Sequence, residues 1–166
     1  MGLKLEILAS IIGVVTKAND LTSVESKVNK GKKLKLVTGT GSGQADLHFA
    51  DTRTLTASSS EDLDLAGGLT DPFGAALTFV KIKAILIVAA AGNANDVVIG
   101  GAASNAFVGP FADATDKIKV HPGGTLLLSD PVGWTVTAAT SDLLKVANGG
   151  SGTPVTYDII LVGASA

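Results

Sequence analysis

The stretch VTGTGSGQAD, residues 37–46, is the first place to look for chemistry, because it sets glycines at 39, 41 and 43 behind a lysine-rich run. Glycine-rich loops hold phosphate when bare backbone N–H groups crowd the anion where a helix begins. A Walker loop requires G-x-x-x-x-G-K-[ST], and here Gln44 comes after Gly43. A dinucleotide fingerprint requires G-x-G-x-x-G opening a helix. Residues 46–65 read DLHFADTRTLTASSSEDLDL, and their Thr, Ser and alternating Leu do not propagate one. The loop reads as a hinge.

The remaining candidates are sparse. His48 and His121 lie far apart, and no HxH, HxxxH or HExxH spacing supplies further metal ligands. Asp113 and Asp116 in FADATD lack the D-x-D-x-D-G pattern of a calcium loop and read as a solvated turn. Serines occur without a G-x-S-x-G elbow. Glu61, Asp62 and Asp64 would suit glycoside hydrolysis, but that chemistry needs an aromatic-lined cleft, and the chain has one Trp, one Tyr and five Phe. The same scarcity argues against stacking of sugars or unpaired bases, and Arg53 is the sole arginine for phosphate recognition. There is no cysteine. We therefore expect no enzyme, no catalytic, cofactor-binding or metal site residues, no cofactor, no nucleic-acid partner and no membrane partner.

The elements that would position such residues read as strands. Alternation in Leu3, Leu5 and Ile7 predicts a strand over 3–8 rather than a cleaved leader, with another over 11–16. Further strands are expected at 34–38, 52–57, 62–65, 77–88, 97–99, 117–120, 125–128, 134–137, 143–146 and 155–162. Turn residues such as Asp71-Pro72, Pro122-Gly123-Gly124 and Asp130-Pro131 separate them. The last two runs, joined through NGGSGTP, look like a terminal hairpin. Residues 22–30 stay open: a T-x-x-E capping box at Thr22 and Glu25 favours helix, and the short, Ser-rich run favours strand. The pattern predicts one all-β domain over 1–166, a jelly-roll-like β-sandwich with 1–35 as a lysine-rich N-terminal arm.

Charge is divided along the chain. Residues 1–35 hold seven lysines against Glu6, Asp20 and Glu25, a net of +4; the rest holds five lysines and Arg53 against twelve acids, a net of −6. A basic arm on an acidic body suits docking onto an acidic partner or a neighbouring copy. Long strands with small, Thr-rich outer faces would also pack against copies of themselves. The contrary reading is a monomeric sandwich whose edges are blunted by lysines such as Lys81 and Lys83.

The order GTGSGQAD, DTRTL, DLDL, the D-x-F-G turn at Asp71, Phe73 and Gly74, the FVKIKAI strand, PGG, the GW-x-V-T strand around Trp134 and the ending ASA resembles small structural proteins of tailed bacteriophages. The resemblance covers roughly residues 38–166. It implies a β-sandwich virion protein without enzymatic activity, made in the host bacterial cytoplasm. Head decoration (cement) proteins are the favoured member: homo-oligomers, commonly trimers, that clamp the major capsid protein on the capsid surface. A tail, collar or fibre-associated component, or a small glycan-binding module, is the alternative. Loss of residues 1–16 is expected to weaken attachment or oligomerisation more than it unfolds the core.

Overall fold

The computed structural model describes residues 2–166, and among them it is all-β with no helix. Strands β1 (Lys4–Ala18) and β2 (Ser23–Thr38) form an antiparallel hairpin, and the short β3 (Gln44–Ala45) pairs in parallel with the end of β2. Next come β4 (Leu47–Leu55), β5 (Ser60–Asp64), β6 (Leu69–Thr70), β7 (Ala76–Leu77), β8 (Lys81–Ala89) and β9 (Val97–Gly100). The chain continues through β10 (Lys117–Val120), β11 (Thr125–Thr135), β12 (Leu143–Asn148) and β13 (Val155–Ala164). Two four-stranded sheets result, ordered β11-β8-β13-β4 and β10-β9-β12-β5, and β6 pairs with β7 in a two-stranded piece.

The two larger sheets pack as a β-sandwich-like body because each strand presents one aliphatic face. In β13, Val155, Tyr157, Ile159 and Leu161 point inward and are fully buried. They meet Ile82, Ile85 and Ile87 of β8, and across the core Val97 and Ile99 of β9 with Leu144 and Val146 of β12. Gly163 marks where β13 passes β8: a Cβ there would collide with the Lys81 carbonyl oxygen, so only glycine fits.

Several sequence expectations change in detail. Residues 23–30 are strand, because Val24 and Val28 pair across the hairpin with Lys17 and Gly13 and helix would break fifteen residues of continuous register. The runs at 3–8 and 11–16 are one strand for the same reason. The runs at 125–128 and 134–137 join as β11 across a bulge, where Asp130 Oδ1 accepts hydrogen bonds from the N–H groups of Val132 and Gly133. The run at 77–88 is broken after Leu77, and β8 starts at Lys81. The expected terminal hairpin is corrected: β12 pairs with β5 and β9, and β13 pairs with β4 and β8 in the opposite sheet. Both strands are alternately aliphatic, so each is recruited to a different wall of the core.

Lys83 is also corrected. It blunts no edge: it lies in central strand β8 and is fully buried. Both neighbours skip it, since Ile82 and Ala84 pair with Gly163 and Val162 on one side and with Trp134 and Ser129 on the other. This bulge turns Lys83 and Ala84 to the outer face while Ile82 and Ile85 stay in the core.

Candidate interaction surface

The glycine loop at 39–43 is a joint between the hairpin and the body. The amides of its three glycines are already engaged: Gly39 N–H donates to Ala45 O, Gly41 N–H to Gln44 Oε1 and Gly43 N–H to Pro131 O, and Gln44 N–H donates to Gly41 O. What the loop presents to the body is carbonyl oxygen, and the Lys83 ammonium donates to the carbonyls of Thr40 and Gly41. A phosphate cradle has the opposite polarity. Gly39 is required there, with φ at +140° and a Cβ position 2.5 Å from Gln44 Oε1. Burial pushes the Lys83 ammonium below the usual lysine range, and the Lys81 charge adds to the effect.

The other chemically suggestive residues do not converge. Glu61 accepts hydrogen bonds from Tyr157 Oη at 2.6 Å and from Arg53 Nε at 2.7 Å, so it ties β5 to the facing sheet. Asp64 Oδ1 accepts from the Ala66 N–H, and Asp62 is exposed on β5. The three acids thus have separate roles. Burial, then the Glu61 contact, raises the Tyr157 phenol above its ordinary value; the Glu61 hydrogen bond raises the Arg53 guanidinium. His121 Nδ1 lies 2.7 Å from Asp96 Oδ1, while His48 sits opposite Val162 on another sheet. Asp113 Oδ1 accepts from Thr115, which lowers its pKa, and Asp116 Oδ2 accepts from the N–H groups of Ala112 and Asp113; both carboxylates shape their own loop. Among the described residues no cluster of three potential metal ligands occurs, and no helix is long and apolar enough to cross a membrane.

The feature that stands out is the hairpin. At its root, Leu3, Leu5, Ile7 and Leu34 pack with Leu36 on Ala84 and Val162, the outer face of the β11-β8-β13-β4 sheet. Beyond the Leu8–Lys33 pair both faces are exposed for roughly 35 Å at strand rise. Ile11 is 73% exposed, Ile12 74% and Val15 71%, among Lys27, Lys30 and Lys32. Lys33 pairs with Glu6 at 2.7 Å and lowers its pKa. Isolated two-stranded ribbons are marginal in water, and monomeric proteins rarely expose contiguous aliphatic patches.

Beside the root of β1 runs an open groove of about 330 Å³, floored by Leu86, Leu127 and Ile160 of the same outer sheet face. Sequence reasoning singled out the basic segment but not this floor. Alternate aliphatic positions of β8, β11 and β13 look alike whether they face the core or the outside; the bulge at Lys83 sets the phase of β8, and the pairing of Leu127 and Ile160 with Leu86 carries it to the neighbouring strands.

Cutting the hairpin separates its role from that of the core. Leu3, Leu5 and Ile7 cover Ala84 and Val162, so deletion of 1–16 would also uncover the body. Replacing residues 10–31 by Asn-Gly, which joins the opposed Ala9 and Lys32, spares that packing. At concentrations where unfolding is independent of dilution, this variant is expected to unfold within about 0.5 kcal/mol of the full chain. Trp134 fluorescence during denaturation measures it, and a larger loss would mean that the distal hairpin supports the core.

Comparison with protein-family models, with curated proteins and with solved structures gives no match.

Proposed function

We propose that this chain is a non-enzymatic virion structural protein, a head decoration (cement) protein of a tailed bacteriophage. In this reading the body is a jelly roll: the two sheets run β4-β13-β8-β11 and β5-β12-β9-β10, and every step along the body except β9 to β10 crosses between them, the pattern of eight strands wound as a double sheet. The hairpin is the N-terminal arm of the sequence expectation. The observation that carries the reading is that arm, a long, lysine-rich ribbon whose aliphatic side chains are exposed on both faces while the body is acidic. Such a surface is a hazard in a free monomer and an asset in an assembly.

The mechanism is mechanical. The arm and outer sheet bury apolar area against the major capsid protein and against copies of this chain, with a trimer favoured. At about 25 cal/mol per Å² of apolar area, a modest footprint repeated over a shell raises the cost of separating capsid subunits. The test is quantitative mass spectrometry of purified virions of the encoding phage. Copy number near parity with the major capsid protein is the expected result on the capsid surface. A few copies per virion would move the chain to the collar, tail or fibre, and absence from the virion would end the proposal.

A further inference from the structure

Two unpartnered features of this chain complement each other. One is the distal hairpin, aliphatic and basic. The other is the groove beside the root of β1. β1 is the edge of its sheet, and among the described residues no strand pairs with its outer side. Alternate backbone N–H and C=O groups from Leu5 to Leu8 therefore border the groove, with Leu86, Leu127 and Ile160 as its floor. An unpaired edge above an aliphatic floor is a site for an added strand: the edge supplies backbone hydrogen bonds, and the floor takes every second side chain.

We propose that the distal hairpin of one copy adds to β1 of a second copy, laying Ile11 and Val15 over Leu86, Leu127 and Ile160. Three observations select a second copy as the occupant. The hairpin keeps continuous register from Lys4 to Ala18, with no bulge to fold it back, so it leads away from the groove that its own root borders. The side chains brought together, Ile11 and Val15 on one side and Leu86, Leu127 and Ile160 on the other, are all branched aliphatics, so the two surfaces share one chemistry. The charges are complementary: the distal hairpin, residues 9–32, holds Lys17, Lys27, Lys30 and Lys32 against Asp20 and Glu25, while the one charged residue lining the groove is Glu6, and Asp158 stands exposed two residues from Ile160 on the same outer face. Each chain both gives a hairpin and receives one. Hairpin and groove are different surfaces, so reciprocal exchange makes a two-fold dimer and a head-to-tail contact whose rotation closes makes a ring.

This inference deepens the self-association in the proposed function and does not depend on a capsid. The test uses the full chain and two variants, with mass measured by light scattering after size exclusion. One variant carries Ile11→Asp and Val15→Asp in the hairpin; the other carries Leu127→Asp and Ile160→Asp in the groove. The wild type is expected to have the mass of more than one chain and each variant the mass of one, with unchanged circular dichroism. An equimolar mixture should then form a dimer, because the intact hairpin of the groove variant meets the intact groove of the hairpin variant. A wild type with the mass of one chain, or a mixture that stays at one chain, overturns the inference. A single-chain wild type that still coats capsids would overturn it while leaving the decoration reading standing; an oligomer that binds no capsid would do the reverse.

Discussion

Glu61→Ala is expected to lower the unfolding free energy by about 3 kcal/mol, because it orphans two groups rather than one. Tyr157 is fully buried, and its hydroxyl donates to Glu61 Oε1 at 2.6 Å. Arg53 donates to Glu61 Oε2 and, through Nη1, to Asp51 at 2.8 Å. Without Glu61 the phenol is left in the core with no acceptor, and the guanidinium keeps only the more exposed carboxylate. For a chain of this length the loss corresponds to roughly 8 °C in Tm. Tyr157→Phe removes one hydrogen bond and is expected to cost about 1 kcal/mol. The double variant should then fall short of the summed losses, since both substitutions remove the same contact. The pH dependence has a definite sign. Burial holds the phenol neutral in the fold, while in the unfolded chain it ionises near pH 10. Its contribution is complete below about pH 10 and declines as pH rises further. Tyr157 is the single tyrosine, so tyrosinate absorbance reports it alone. The expected trace shows no ionisation until the chain unfolds cooperatively. A gradual rise near pH 10 in folded protein would show that the phenol is open to solvent and would refute the proposed network.

Particular residues explain which features were legible in advance. Alternation is a local property, so Val155 to Leu161 and the runs at 3–8 and 11–16 of the first hairpin strand were readable from the chain as strands. The partner of a strand is not local. Leu143–Asn148 and Val155–Ala164 carry the same alternation as a hairpin, yet each pairs with strands far earlier in the chain, because the core has two walls to fill. The segment 22–30 was ambiguous because Thr22 and Glu25 match a helix cap; the opposite strand, with fifteen residues in register, outweighs that one turn of capping. At the glycine loop the departure from a phosphate motif was legible from Gln44, whereas the reversed polarity of the loop was not. That polarity is set by Lys83, and nothing in FVKIKAILI distinguishes Lys83 from Lys81. The distinction arises from a bulge that both neighbouring strands create together.

That bulge makes Lys83 the residue whose replacement should separate packing from charge at the hairpin root. Its stem is fully buried in β8 and its ammonium reaches the carbonyls of Thr40 and Gly41. Lys83→Ala removes the stem, leaves a cavity beneath the loop and deletes the donor; about 3 kcal/mol of stability is expected to be lost. Lys83→Met keeps most of the stem and removes a desolvated charge. The Gly41 carbonyl belongs to an exposed residue and can recover a hydrogen bond from water. The Met variant should therefore lie within about 1 kcal/mol of the wild type. The alkaline behaviour is opposite in sign to that of Tyr157. Burial lowers the folded pKa of Lys83, so the unfolded chain binds the proton more tightly. Stability rises with pH between that lowered value and about 10.4, where the unfolded lysine also loses its charge. Denaturant titrations at stepped pH should show this rise in the wild type and lose it in both variants. Hydrogen exchange adds a local readout, since the Gly43 amide bonded to Pro131 should exchange faster once the root loosens. If Met costs as much as Ala, the ammonium–carbonyl contacts, and not the packed stem, hold the hairpin to the body. In that case the fold would hold the Lys83 proton more tightly than the unfolded chain does, and the same alkaline titration should show stability falling with pH instead of rising.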